Sequence, residues 1–432
     1  NIDKVLESAK PIVTVNNTIT NEPVIQKGEL KLTEDQKKVS DFVQEFLNKP
    51  VDNSVDSFSV DNMIMVTGAG GTGKTFTITR AIKEFISKNY ANINFAAPTH
   101  NAKRELTLSM KDVGFGKDAL TNLSLFGIDY NPLTGKSTLK KPSDYWYPPI
   151  YDNRIVILDE YSMLGGDQLN LIKQRLVEIK EEFGYNVKLI FSGDYGQIPP
   201  VINDKKSDDY MDGEITNLLY HSNKDKVVSL TKNMRSKYED VSNQGKILRT
   251  FIDRVNDISI YKSSTETIQD VIKDFRQTFI AQKTISNNIN IYTSENKKEW
   301  LENYLKAFKN NVQNNLKFGV IVNYNNENNA YTIKLNNHIR QQLFNTQEKY
   351  VVGDLLMMQS NEFSGAKNKN NIVTIIGKEE RILVKEVIKE TKTFTFDFRD
   401  KGVRALKSFS ITVPIFNFKV VNDENIELKC NM

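Results

Sequence analysis

The eight residues Gly68-Ala69-Gly70-Gly71-Thr72-Gly73-Lys74-Thr75 constrain this chain more than any others. They fill the pattern G-x-x-x-x-G-K-[ST] completely. Met63-Ile64-Met65-Val66 before them reads as a short apolar strand, and Thr75 to Ile86 after them reads as a helix. A strand that turns through glycines into a helix presents successive backbone N–H groups with no Cβ atoms in the way. The helix N-terminus adds about half a positive charge at the same point. That arrangement suits the phosphates of a nucleotide: Lys74 would reach the β- and γ-phosphates and the Thr75 hydroxyl would ligate Mg²⁺. A glycine-rich turn with a chance lysine would need both flanks to be coincidences.

The rhythm around this turn predicts an α/β fold. Ile93–Ala97, Ile155–Leu158 and Lys188–Ser192 are further apolar strands, and Leu169 to Phe183 is an amphipathic helix. Continuous apolar strands separated by helices imply a parallel sheet covered on both faces. Leu32-Thr33-Glu34-Asp35-Gln36 opens a helix, with Thr33 as N-cap and Gln36 completing a capping box. Residues 1–28 read as a leader, best taken as a tail. The stretch 111–152 interrupts the rhythm with a loop or hairpin excursion. Beyond 235, helices are expected at 242–256, 266–279 and 296–309. Short strands follow at 372–376, 381–387, 393–398 and 410–413, which together suggest a small β-barrel.

Two more strand ends carry polar groups. Ile155-Val156-Ile157-Leu158 runs into Asp159-Glu160. Asp159 suits holding Mg²⁺ through water, and Glu160 suits polarising the attacking water. Phe191-Ser192 runs into Gly193-Asp194-Tyr195-Gly196-Gln197. In a doubly wound sheet these ends share the edge where ligands bind, so Gln197 would reach the γ-phosphate. By its residues alone this last segment reads equally well as a plain turn.

Together these segments resemble motifs I, II and III of superfamily 1 helicases, with motif III running on through Ile198-Pro199-Pro200. Ala97-Pro98-Thr99-His100-Asn101-Ala102-Lys103 resembles motif Ia of the RecD-like branch, superfamily 1B. The Leu32–Gln36 segment is similar to that branch's Q motif, which implies that Gln36 reads adenine. Leu230-Thr231-Lys232-Asn233-Met234-Arg235-Ser236 is similar to the segment whose arginine, here Arg235, contacts the γ-phosphate. Tyr350 to Gln359 resembles the start of an SH3-like barrel.

The resemblance implies two RecA-like P-loop motor domains, each a parallel sheet flanked by helices, with ATP in the cleft between them and single-stranded DNA across both. It divides the chain into domain 1A at 29–230 with a 1B insertion at about 111–152, the first part of domain 2A at 231–349, and an SH3-like barrel insertion, 2B, at 350–432. The tip of 1B, which carries the strand-separating pin in relatives, would lie near Asn131-Pro132-Leu133-Thr134-Gly135. Where relatives carry a histidine in the segment matching Thr121–Ser124, this chain has Leu123. Motifs V and VI should follow the barrel. The sequence reaches Met432 without them, and a chain cut short is the expectation.

Nucleic-acid contacts are expected at Pro98, Thr99, His100 and Lys103, where backbone, hydroxyl and cationic groups stand at a strand end. Phe126 and the tyrosines of the excursion are candidate stacking surfaces, and Arg340 resembles a strand-contacting position of the second domain. Composition neither helps nor forbids this: 58 Lys+Arg against 54 Asp+Glu leave a net charge of only +4, so any basic groove must be local. One cysteine, Cys430, excludes a disulfide scaffold and a cysteine-ligated zinc. With no signal peptide evident, that suggests a reducing, cytoplasmic setting. No apolar run approaches the ~20 residues of a membrane span.

Three functions remain open: an ATP-driven, 5′-to-3′ DNA helicase that acts as a monomer at duplex junctions, alongside replication or recombination proteins; a nucleic-acid-stimulated ATPase that remodels protein–DNA complexes; and a helicase fold without turnover, which the missing motifs V and VI would favour. The direction follows from the branch and not from these residues.

Overall fold

The computed structural model describes residues 32–86, 92–131, 136–143, 145–197, 215–234, 239–259, 265–280, 284–286, 289–290, 297–311, 331–346, 348–357, 366–368, 373–374, 380–399, 406–422 and 427–431. The expected leader at 1–28 lies outside these residues, as does the expected pin tip near Asn131–Gly135 except for Asn131 itself. The chain divides into two compact units, one holding the described residues 32–290 and the other the described residues 297–431.

The first unit is organised by a six-stranded parallel sheet. Its strands are β1 (Met63–Gly68), β2 (Ile93–Ala97), β3 (Leu120–Thr121), β6 (Ile155–Leu158), β7 (Lys188–Gly193) and β8 (Val227–Leu230), in the order β3-β2-β6-β7-β1-β8. The strands read as unbroken apolar runs because both faces are covered. Met63, Met65, Val156, Leu158, Leu189 and Phe191 belong to one core cluster, which also holds Leu169, Ile172, Leu176 and Ile179 of helix Gly166–Phe183. Ile64, Val66, Ile155, Ile157 and Ile190 belong to the other, with residues from three helices: α1 (Glu34–Asn48), α2 (Lys74–Ile86) and α3 (His100–Asp112). The period-2 alternation thus sends adjacent residues into different cores, each fully buried Ile, Leu or Phe contributing about 1.5–3 kcal/mol. The capping box forms as expected, with Gln36 N–H donating to Thr33 Oγ1 at 3.3 Å and Thr33 N–H donating to Gln36 Oε1 at 3.1 Å.

The excursion is narrower than 111–152. Leu120–Thr121 joins the edge of the main sheet, and helix α4 (Asn122–Phe126) packs into the core with Leu125 and Phe126 fully buried. What leaves the sheet is an antiparallel ribbon of β4 (Ile128–Asn131) and β5 (Lys136–Leu139). Its base is held by Arg175, a fully buried side chain of helix α5 (Gly166–Phe183). Arg175 donates to Phe126 O at 3.0 Å, Lys140 O at 2.7 Å and Tyr151 Oη at 3.2 Å, and pairs with Glu178. After β8, the same unit continues through α6 (Glu239–Ser259) and α7 (Ile268–Phe275), past the expected boundary at 230.

The second unit shows α8 (Lys297–Asn311), α9 (Tyr331–Phe344) and a six-stranded antiparallel sheet. Three of its four expected short strands are parts of one long ribbon. The segments 381–387 and 393–398 are parts of β9 (Arg381–Arg399), and 410–413 lies within β10 (Leu406–Asn422). No Gly or Pro interrupts 381–399, so nothing stops the strand. At the ribbon's base, Ile382, Val384, Phe416, Phe418, Val420 and Leu428 form a core, with the Tyr350 ring 5.1 Å from both phenylalanine rings. Among the described residues, no helix is long and apolar enough to cross a membrane.

Candidate active site

Strands β6, β7 and β1 are neighbours, so the ends of all three meet at one place on the sheet's edge. The glycine turn leaves β1 at Gly68, where an added Cβ would lie 2.5 Å from Leu230 O. Gly73, at φ +86°, occupies a conformation that L side chains rarely adopt, and a Cβ there would lie 2.8 Å from Gln36 Nε2. Gln36, buried on helix α1, therefore touches the turn itself. Lys74 is buried and donates to Gly68 O at 2.8 Å.

The acid pair stands beside this turn. Asp159 is 7% exposed. It accepts from the Thr75 hydroxyl at 2.9 Å, from the Ser192 hydroxyl at 2.6 Å and from the backbone N–H of Glu160 at 3.1 Å. Three donors fix both carboxylate oxygens, so Asp159 keeps one orientation. Glu160 has left-handed backbone angles, φ 50° and ψ 44°. A residue with a Cβ holds that conformation at a cost of about 1–3 kcal/mol, a strain that clusters at functional sites. Thr75 Oγ1 and Asp159 are hard oxygen donors at hydrogen-bond distance from each other, which fits the chemistry of a Mg²⁺ site.

The third strand end completes one wall. Gln197 N–H donates to Asp194 O at 3.0 Å, closing a turn after β7. The Gln197 amide sits 3.7 Å from where a Cβ on Gly70 would lie. The turn after β7 therefore borders the glycine turn after β1. On the other side, Met234 N–H donates to Gly71 O at 2.7 Å and Asn233 Nδ2 to Gly70 O at 3.3 Å. Asp35 holds that segment by accepting from Thr231 N–H at 2.9 Å and Lys232 N–H at 3.4 Å. Arg235, the next residue, lies outside the described residues.

Sequence reasoning missed Ser192, Asp35 and Arg249. Ser192 had a faint signal, a hydroxyl closing an otherwise apolar strand. Asp35 and Arg249 had none, because each acts on a segment far away in the chain. Arg249, on helix α6, pairs with Asp194 and covers the Tyr195 ring at 4.0 Å. Burial, aided by the Tyr220 hydroxyl, pushes the Tyr195 phenol up, so it stays neutral.

The expected nucleic-acid contacts divide. Pro98, Thr99, His100 and Lys103 are half-buried at the end of β2, on the same sheet edge. Thr99 caps helix α3 by accepting from Ala102 N–H at 3.1 Å. Phe126 must be withdrawn as a stacking surface: it is fully buried in the core and offers no ring to a base. Tyr130, Tyr145 and Tyr147 are exposed. Arg340 is engaged in a two-pronged ion pair with Asp354, at 2.8 and 3.0 Å, which ties helix α9 to the segment before the antiparallel sheet.

The sequence pattern of the PIF1-like helicase family matches residues 31–269, more than half of the chain and all of the site just described. The chain belongs to this family. Uncharacterized protein R530 of Acanthamoeba polyphaga mimivirus is 24% identical over 327 residues, 71% of this chain and 58% of that protein. The ATP-dependent DNA helicase Pif1 of Psychrobacter sp. (strain PRwf-1) is 29% identical over 157 residues, 34% of this chain and 21% of that one. RecBCD enzyme subunit RecD of Buchnera aphidicola is 30% identical over 148 residues, 33% of this chain and 23% of that subunit. The chain thus spans less than two thirds of the length of each of these relatives. Among solved structures, Bacteroides Pif1 bound to ssDNA is 19% identical, with 91% of this chain and 82% of that one covered and a TM-score of 0.40.

Proposed function

We propose that this PIF1-like chain is the motor of an ATP-dependent DNA helicase. It would hydrolyse Mg-ATP, move 5′ to 3′ on single-stranded DNA and open duplex at junctions. One observation carries the reading: Thr75, in the first turn of helix α2, and Asp159, just past the end of β6, bond to each other beside the glycine turn, while Gln197 and residues 231–234 border the same turn. Bound Mg²⁺ would neutralise charge on the β- and γ-phosphates. Thr75 and Asp159 would hold it, Asp159 through water. The turn's N–H groups and Lys74 would bind the phosphates, and Gln36 would read the base. Glu160 would orient the attacking water and take its proton, while Gln197 and Arg235 would touch the γ-phosphate. Those contacts disappear on hydrolysis, so the nucleotide state shifts the conformational balance of the segments that carry them.

We read the β4–β5 ribbon as the 1B insertion and the antiparallel sheet of the second unit as the SH3-like 2B insertion, with Pro98, Thr99, His100 and Lys103 along the DNA strand. On this reading its motifs are similar to those of the bacteriophage Dda helicase. The test is hydrolysis of ATP with and without single-stranded DNA, and unwinding of duplexes with 5′ or 3′ tails. We expect stimulation by DNA, unwinding from 5′ tails, and a loss of about 100-fold or more in kcat for Lys74→Ala. Hydrolysis without unwinding would favour the remodelling ATPase, unwinding from 3′ tails alone would refute the direction, and no hydrolysis would refute the motor.

A further inference from the structure

The turn that carries Gln197 is short and lies at a sheet edge, yet one distant side chain covers most of it. Arg249, on helix α6, forms an ion pair with Asp194; the two side chains are 21% and 6% exposed. It also pairs with Asp253 at 2.9 Å, and its guanidinium lies 4.0 Å from the centre of the Tyr195 ring. It rests directly on Gly196, where an added Cβ would come 2.5 Å from Nη1. The Asp194 oxygen that faces Arg249 also accepts the Gly196 N–H at 3.0 Å, and the Asp194 carbonyl accepts the Gln197 N–H at 3.0 Å. One guanidinium therefore braces Asp194, Tyr195 and Gly196, the three residues that aim Gln197 at the glycine turn.

We propose that Arg249 is a positioning residue for Gln197, coupling the nucleotide-facing turn after β7 to helix α6; this deepens, and rests on, the ATPase reading of the site. Its ion pairs and ring contact go to Asp194, Asp253 and Tyr195, so it acts through the turn. The helix it belongs to follows the 231–234 segment, which bonds to Gly70 and Gly71 from the opposite side. Two walls of the site are thereby tied to one helix, and a shift of Gln197 is passed to that helix through the Arg249–Asp194 pair. Only a planar, forked cation can pair with two carboxylates while lying flat on a ring, so lysine is a poor substitute.

The experiment compares full-length wild type, Arg249→Met, Arg249→Lys, Gln197→Ala and the Arg249→Met/Gln197→Ala double variant. The readouts are ATPase kcat and KM, binding of a fluorescent ATP analogue, and thermal unfolding. A misplaced Gln197 predicts that Arg249→Met lowers kcat about 10- to 100-fold. KM and analogue affinity should stay within about threefold of wild type, because binding is retained. Arg249→Lys should recover only part of the rate. The double variant should be no slower than Gln197→Ala alone, since both act through one group. Should Arg249→Met fail to fold, Arg249→Lys and its double with Gln197→Ala carry the same comparison. Wild-type kcat in the Arg249 variants, or losses that multiply with Gln197→Ala, overturns the positioning role while leaving the ATPase reading intact. An inactive wild type overturns both.

Discussion

The parallel sheet of the first unit and the long β9–β10 ribbon of the second are both made of strands rich in Ile, Val and Phe, and they treat those residues oppositely. In β1 all six residues are buried. In the outer part of the ribbon, Ile388, Phe394, Phe396, Phe409 and Ile411 are 45–50% exposed. Phe396 and Phe409 stack across the strands at 5.2 Å, and the opposite face pairs Thr393 with Thr412 and Thr395 with Ser410, each at 2.9 Å. The ribbon has alternation without a cover; the sheet has covers on both faces. Where everything apolar is buried, each remaining buried polar group needs a partner, and the partners reveal its role. Where both faces meet water, the same side chains set register and little else.

Substitutions can break this contrast, and the largest effect is expected at Arg175. Its removal in Arg175→Met leaves Phe126 O and Lys140 O without their donor, and should cost about 3 kcal/mol in a urea melt of the first unit's transition. A loss below about 1 kcal/mol would show that the ribbon's base is held by packing alone. Next is Ser192→Ala, which deprives Asp159 of one of three donors. It should lower kcat about tenfold, as loss of an orienting partner does, with little change in stability. An unchanged rate would mean that Thr75 and the Glu160 N–H suffice.

A subtler effect is expected at Lys188. It is buried and donates to Phe46 O at 2.6 Å and Leu47 O at 3.2 Å, closing the C-terminal end of helix α1. Burial, with Lys49 nearby, pushes its ammonium down to about 8 despite those carbonyls. A lysine with a lowered folded value holds fewer protons folded than unfolded between about pH 8 and its ordinary 10.5. Stability from this group therefore rises with pH across that window. Comparing wild type with Lys188→Met from pH 7.5 to 10.5 should show that extra slope in wild type only; parallel curves would mean that the carbonyls keep the group at its ordinary value. The smallest effect belongs to the ribbon. Phe396→Ser should change stability by less than about 1 kcal/mol, the range for one exposed cross-strand pair. A larger loss in a thermal melt would show that the ribbon face is covered after all.

Much of this site was legible because its polar groups concentrate at strand ends. The glycine turn, Asp159-Glu160 and the Gly193–Gln197 segment could each be located from an apolar run followed by a polar cluster, and the Thr33–Gln36 capping box from local spacing. What stayed hidden depends on contacts between distant segments. Nothing near Phe126 in sequence says that its ring turns inward under Arg175, and nothing near Arg340 says that Asp354 claims its guanidinium. The long ribbon reads in sequence as short strands because the pattern contains alternation but no mark of where pairing ends.

By itself, the sequence determined where most strands and helices around the glycine turn lie, the position of that turn and the periodicity that gives each strand its two faces. These are local properties, set by a few consecutive residues and the geometry of the backbone. Only the tertiary structure decided the strand order β3-β2-β6-β7-β1-β8, which brings three separate strand ends together, and the partners Ser192, Asp35 and Arg249 that hold them. Those depend on which surfaces bury each other, a property of the whole packed unit that no short window of sequence contains.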